Sequence, residues 1–263
     1  MGFFKIKSTI ILVLILCSTS IVSCKKSKNR SIISENSMES FSVTENIKGP
    51  LIYKNSLASA NNVKDWMIEG PAQLEFKNNW MHMFSPEEEG HHVLWCPKDF
   101  PSSFIAEWEL QNQEPDAGLC IVFFSAQGNK GESIFDTNFP ERDGVFKQYT
   151  KSKYFNNYHI SYYANGKDFR AKGIAHLRKN SGFHKVQIGE LGISEYSDKV
   201  HKLRLVKDGG HITCFIDQRK IIDWFDDGQE YGKVLNEGKI GFRQMKWTHF
   251  KYRNFKVYSL KKI

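Results

Sequence analysis

The sequence predicts an all-β fold over residues 50–263, a sandwich of two stacked antiparallel sheets. Apolar and polar residues alternate with period two in almost every segment of that stretch, the pattern of half-buried strands. Short clusters of Asp, Asn and Gly separate the segments and read as turns. No segment carries the apolar period of a helix longer than two turns. About a dozen short strands in one domain-sized chain must stack as two sheets to bury their apolar faces.

The strands are legible in order. His91, Val93 and Trp95 share one face of the first. Phe104, Ala106, Trp108 and Leu110 share one face of the next. Gly118–Phe124 is apolar on both faces and suits a central strand. Residues 126–156 read as a rim loop. In the strand after it His159, Ser161 and Tyr163 form a polar face, opposed by Tyr158, Ile160 and Tyr162. Residues 178–199 read as a second rim loop, and the two would close over one end of a concave sheet. Asp208-Gly209-Gly210 joins Leu203–Lys207 to His211–Ile216 as a hairpin. Asp217-Gln218 and Asp226-Asp227-Gly228 close the next two units. Ile240 and Phe242 then face one way while Lys239, Gly241 and Arg243 face the other. In the last strand Phe250 and Tyr252 have one parity, Phe255 and Val257 the opposite one. A bulge at Arg253-Asn254 reconciles them.

The N-terminus reads as a lipoprotein signal over residues 1–23. Lys5 and Lys7 precede an apolar run, Ile10–Cys17, that is too short to cross about 30 Å of hydrocarbon. Ile21-Val22-Ser23-Cys24 follows and resembles a bacterial lipobox, with Cys24 as the lipidated first residue. Two or more acyl chains anchor a protein stably. Residues 24–49 are rich in Lys, Ser, Asn and Glu and read as a flexible tether. The expected location is the cell envelope, at the outer membrane.

Charge narrows the partners. The chain carries +8, and about +6 once Lys5 and Lys7 leave with the signal. An exported basic protein meets acidic polysaccharides and lipid headgroups rather than nucleic acid; the same charge is also accounted for by solubility alone. Cys17 lies in the signal and Cys24 carries lipid, which leaves Cys96, Cys120 and Cys214. Cys120 and Cys214 sit inside apolar strand patterns as small hydrophobes, and one disulfide is compatible with an oxidising compartment.

A set of motifs from Asn156 to Tyr258 occurs in a specific order. It includes Asn157–Tyr163, Leu177–His184, Val206–Ile212, Asp223–Gly228, Gly238–Met245 and Tyr252–Phe255. Upstream stand Phe124–Ala126 and Gly131–Phe135. Together they resemble the YesU-like family of concanavalin A-like jelly rolls. The resemblance implies a jelly-roll sandwich and a place in bacterial carbohydrate degradation. It extends to a dehydratase type acting on oligosaccharides of the acidic polysaccharide ulvan, and it implies no settled catalytic set.

The residues suit an elimination. A uronate loses its C5 proton and a C4 substituent, and a cation must neutralise the carboxylate to make that proton acidic. His159 is the expected general base and Tyr163 the acid, because both project from one polar strand face. Arg178 is the expected carboxylate partner, since its fork matches a carboxylate. Arg243, Gln244, Trp95, His91 and Asn180 are the expected substrate-binding residues. Trp95 would stack on a pyranose, and the glycines beside Arg243 would leave room for a sugar. His91 and His92 point oppositely on a strand, so no metal is expected, and no cofactor. Two other functions stay open. One is a non-catalytic sugar-binding lipoprotein. The other is a glycoside hydrolase using Glu107 and Glu109, which an outer-surface pair explains equally well. Glu87-Glu88-Glu89 reads as a solvated turn.

The anchor is directly testable. Cys24→Ala should release the protein from the membrane fraction or block its processing, read by fractionation and intact mass. Unchanged partitioning and unchanged mass would refute lipidation.

Overall fold

Period-two alternation becomes pairing only when the backbone groups of each strand find a neighbour. The computed structural model describes residues 48–114, 118–166 and 173–261. The expected signal peptide, Cys24 and the tether up to residue 47 lie outside the described residues. Lys48 and Gly49, assigned to the tether from sequence, instead open the first strand. In chain order the strands are β1 (Lys48–Asn55), β2 (Met67–Glu69), β3 (Gln73–Lys77), β4 (Trp80–Phe84), β5 (His92–Phe100), β6 (Ser103–Asn112), β7 (Leu119–Gly128), β8 (Phe155–Ala164), β9 (Ile174–Asn180), β10 (His184–Leu191), β11 (Val200–Asp208), β12 (His211–Ile216), β13 (Arg219–Phe225), β14 (Gly238–Gln244) and β15 (Phe250–Leu260). A single-turn helix, α1 (Lys147–Thr150), interrupts the loop before β8.

The strands form two antiparallel sheets. One has the order β13-β12-β11-β6-β15-β4-β3, with β1 also paired to β15. The other has the order β10-β9-β8-β7-β14-β5-β2. The expected all-β jelly-roll sandwich is therefore the observed one. The hairpin at Gly209 pairs Asp208 with His211. The bulge in β15 lies where the parity change requires it, between Arg253 and Lys256, with Asn254 at φ 58°. The loop expected over 178–199 is mostly the strand pair β9–β10. The reading failed because β10 is an edge strand with two register shifts, so its apolar residues Val186, Ile188 and Leu191 do not hold one parity, and most of its residues are exposed.

The inward faces meet in an aromatic core. The Phe242 ring packs against Trp108 at 5.2 Å, Tyr252 at 5.2 Å, Phe255 at 5.4 Å and Trp66 at 6.1 Å. These are offset or edge contacts that add to area burial. Cys96, Cys120 and Cys214 are buried free thiols. Glu107 and Glu109 lie on the outer face of the eight-stranded sheet, and each is paired with cations. Neither has the environment of a hydrolase acid.

His92 shares the inward parity of Leu94 and Cys96 and is fully buried. Desolvation lowers it to about 4. The folded protein therefore binds fewer protons than the unfolded chain between about pH 4 and pH 6.5. Stability from this residue is complete above pH 6.5 and falls as pH approaches 4, by about 3 kcal/mol in all. Denaturant melts across that range should show the loss, and His92→Gln should reduce it by that share, the other buried histidines keeping the rest. An equal acid response in both proteins would refute the assignment.

Candidate functional site

The outer face of the seven-stranded sheet carries a second, smaller apolar cluster. Val93 and Trp95 of β5, Ile121 and Phe123 of β7 and Phe155 of β8 project outward there. The loop between β7 and β8 covers them with Ile134, Phe135, Phe139, Phe146 and Tyr149. Its closure over part of the sheet was expected from sequence. The tie is one carboxylate. Glu69, at the end of β2, accepts from Trp95 Nε1 at 2.9 Å, Tyr149 Oη at 2.7 Å and Arg142 Nη2 at 2.5 Å. Arg142 also stacks on Phe139 and Phe155. Gly144 makes the close approach possible. Its φ is +92°, and a Cβ there would lie 1.8 Å from the carbonyl oxygen of His91.

Beside this lid the same face opens into a pocket of about 420 Å³. Register places its residues in two rows across the strands. In one, Lys185 of β10 stands opposite Arg178 of β9, which stands opposite His159 of β8. In the other, His176 of β9, Ser161 of β8, Ile121 of β7 and Arg243 of β14 follow one another. Strands lie about 4.8 Å apart, so the pair of rows spans about the width of a sugar or two. His91, Phe146 and Phe183 complete the wall.

Among the described residues the pocket is cationic and carries no acid. No Asp or Glu is among its lining residues. Arg243 is 2% exposed, its Nε has no hydrogen-bond partner, and its Nη2 reaches only the Gly144 carbonyl at 3.4 Å. Its guanidinium lies 4.6 Å from the Phe146 ring. Burial lowers Arg243 to about 10, so it stays charged at neutral pH. Arg178 lies 3.8 Å over the Phe183 ring and donates to the Phe183 carbonyl at 3.1 Å. Its affinity for its proton is also lowered by burial. The aromatic faces hold both guanidinium planes while leaving their edges for a ligand. His159 is 1% exposed, between Phe123, Phe146 and Phe183. Burial first, then the charges of Arg178 and Arg243, hold it well below the usual histidine range. It is neutral at pH 7.

Of the residues expected from sequence, His159, Arg178, Arg243 and His91 converge on this pocket. Four others do not line it. Tyr163 points between the sheets and accepts from Asn112 Nδ2 at 3.0 Å. The cause is a bulge: Cys120 pairs with Tyr163 and Ile121 with Ser161, leaving Tyr162 as the extra residue. The extra residue reverses the parity, so Tyr162 and Tyr163 both enter the core and Ala164 reaches the pocket. Trp95 is fully buried, stacked on Phe123 and tied to Glu69, with no face for a pyranose. Its ring also fills the space expected to be free at Gly241, where a Cβ would meet it at 2.4 Å. Gln244 faces the core and meets Tyr252 Oη at 3.0 Å. Asn180 lies behind His159, its Nδ2 2.8 Å from Nδ1 of that ring. His176 and Lys185 were missed. The alternation Ile174-Ala175-His176-Leu177-Arg178 places His176 on the face of Arg178, a signal present in the sequence.

Residues 50–257 match the family described as Domain of unknown function (DUF1961). The uncharacterized protein YesU of Bacillus subtilis (strain 168) is 38% identical over 218 residues, 81% of this chain and 97% of that protein. A crystal structure of a Bacillus subtilis protein of unknown function with a galectin-like fold superposes with a TM-score of 0.78 at 37% identity. That match covers 82% of this chain and 99% of the other. The VIP36 exoplasmic/lumenal domain in its Ca2+/Man3GlcNAc-bound form is similar in fold, with a TM-score of 0.53 at 10% identity over 80% of this chain and 88% of that one.

Removing the lid's carboxylate tests this architecture. Glu69→Ala leaves the Arg142 guanidinium buried without its ion pair, which costs about 3–5 kcal/mol. Denaturant unfolding should show that loss. A change below about 1 kcal/mol, the range of an exposed pair, would mean that Glu69 does not clamp the loop.

Proposed function

Taking as premise that the chain belongs to the DUF1961 family, we propose that it is a carbohydrate-active lyase of the dehydratase kind. Its substrate is a uronic acid residue of an acidic oligosaccharide such as those of ulvan. One observation carries the reading: the buried Arg243 guanidinium, its Nε without a partner, sits in a pocket lined by further cations and, among the described residues, by no carboxylate. A buried charge without a partner is costly, and an anionic ligand supplies the missing partner. Arg178 and Arg243 provide fork geometry for a planar carboxylate. The aromatic walls suit the apolar faces of a sugar ring. The sandwich fold is shared with the Man3GlcNAc-bound VIP36 domain. A lipid anchor at Cys24 would hold the domain at the outer membrane, where imported fragments of polysaccharide arrive.

The reaction balances with the groups at hand. The arginines neutralise the carboxylate, which makes the C5 proton acidic enough to leave. A basic side chain takes that proton, and its electron pair forms the C4=C5 double bond. The C4–O bond breaks, and the departing oxygen leaves as water after gaining a proton. The pocket holds His176 and Lys185 for these transfers, with His91 and His159 beside them. Tyr163 takes no part, since it lies in the core. That loss of the expected acid is the observation favouring the second reading, a sugar-binding lipoprotein without catalysis.

The test is incubation of the protein with uronate-containing and neutral oligosaccharides, followed by ultraviolet absorbance and mass. Acidic sugars should bind more tightly than neutral ones, with affinity falling as salt rises. Arg243→Met should weaken binding by about ten- to hundredfold, the worth of a charge-assisted hydrogen bond. A new conjugated double bond with the loss of one water identifies the lyase. Binding without that signal identifies the sugar-binding reading; equal binding of neutral glucans refutes the preference for acidic sugars on which the lyase reading rests, and binding of no sugar refutes both.

A further inference from the structure

Two of the pocket's histidines are held with a defined nitrogen facing the backbone. His91 Nδ1 lies 3.1 Å from the backbone N–H of Lys246, which can only donate. That Nδ1 is therefore the acceptor, and the ring proton sits on Nε2. His159 is fixed by a longer relay. The Tyr149 carbonyl can only accept, and Asn157 Nδ2 lies 2.7 Å from it. This orients the Asn157 amide so that its Oδ1 faces Asn180, whose Nδ2 lies 2.7 Å away and must donate. The same Asn180 Nδ2 lies 2.8 Å from His159 Nδ1. Turning the Asn180 amide over would set its oxygen against the Asn157 oxygen. The orientation holds although it leaves Asn180 Oδ1 without a partner. His159 Nδ1 is therefore an acceptor too. A proton on it would point at an N–H₂ group, which adds to the desolvation and the arginine charges that keep the ring neutral.

We infer that His159 and His91 serve the pocket as fixed Nε2–H hydrogen-bond donors, with Asn157 and Asn180 as positioning residues that set the His159 tautomer. This rests on the pocket being the ligand site, and it reverses the role of general base read for His159 from sequence. A neutral imidazole is a very weak acid, so His159 does not give up its proton. It donates a hydrogen bond to a carboxylate oxygen of the uronate, where negative charge grows as the C5 proton leaves. A neutral histidine acting as an electrophile in this way is an established device. The ligand class sharpens accordingly: a group with several acceptor oxygens, met by two guanidinium forks and two imidazole N–H groups. Abstraction of the C5 proton then falls to the β9–β10 side of the pocket, to His176 or Lys185.

The experiment is nitrogen NMR of the full chain labelled with 15N-histidine, recorded without sugar at neutral pH and on acidification to pH 5. His159→Gln and His91→Gln identify the two rings by loss of their signals. The expected result is an unprotonated Nδ1 and a protonated Nε2 in both at neutral pH, with the His159 pattern unchanged at pH 5. A protonated Nδ1 or a charged ring at neutral pH in either overturns the inference. Asn180→Asp replaces the donor by an acceptor and should move a proton onto His159 Nδ1; an unchanged His159 pattern overturns the relay. If that variant does not fold, the wild-type spectrum still decides. Failure of the sugar reading is separate. The expected tautomers in a protein that binds no acidic sugar would refute the proposed function and leave the donor assignment standing.

Discussion

The Glu69 carboxylate organises the rest of the site. A buried carboxylate must be compensated by donors, and those it finds come from three elements. Trp95 belongs to the sheet, Arg142 to the loop and Tyr149 to the short helix. Each consequence follows through bonded neighbours. Tyr149 Oη also accepts from the Gly144 N–H at 3.0 Å, which seats Gly144 against His91. The Tyr149 carbonyl holds Asn157, and Asn157 holds Asn180 beside His159. The turn of loop between Gly144 and α1 sets Phe146 against Arg243 and His159. A group outside the pocket thus determines which atoms the pocket presents.

The charge of the chain matters by location rather than by total. On the outer face of the eight-stranded sheet, Glu107 accepts from Arg204 at 2.7 Å and Lys48 at 3.1 Å, and Glu109 from Arg253 at 2.6 Å. Between the sheets, Lys179 pairs with Asp226 at 2.6 Å. The residue beside it in sequence, Arg178, points the opposite way into the pocket and meets an aromatic ring instead of a carboxylate. One strand therefore holds a satisfied cation on one face and an available cation on the other. The low local dielectric strengthens whatever anion joins the second.

The sequence alone determined the sandwich, the hairpin at Gly209, the bulge at Asn254 and the strand parity of His91, His159 and Arg243. These features are local: alternation, turn chemistry and a parity break are written in neighbouring residues, because a strand's side chains point by period two whatever lies across from them. Tertiary structure decided the rest. The bulge at Tyr162 is set by pairing with β7, and nothing in a run of aromatic residues separates it from regular alternation. It carried Tyr163 from the pocket to the core. Trp95 was legible as outward-facing, but only the folded loop shows that the outward face is covered there. The strand β10 escaped because two register shifts break the parity of its few apolar residues. The tautomer of His159 depends on Tyr149, Asn157 and Asn180, which meet only through the lid and two strands. Direction along a strand is a property of the chain; what a side chain meets there is a property of the fold, since hydrogen-bond partners are assigned across distances that sequence order does not encode.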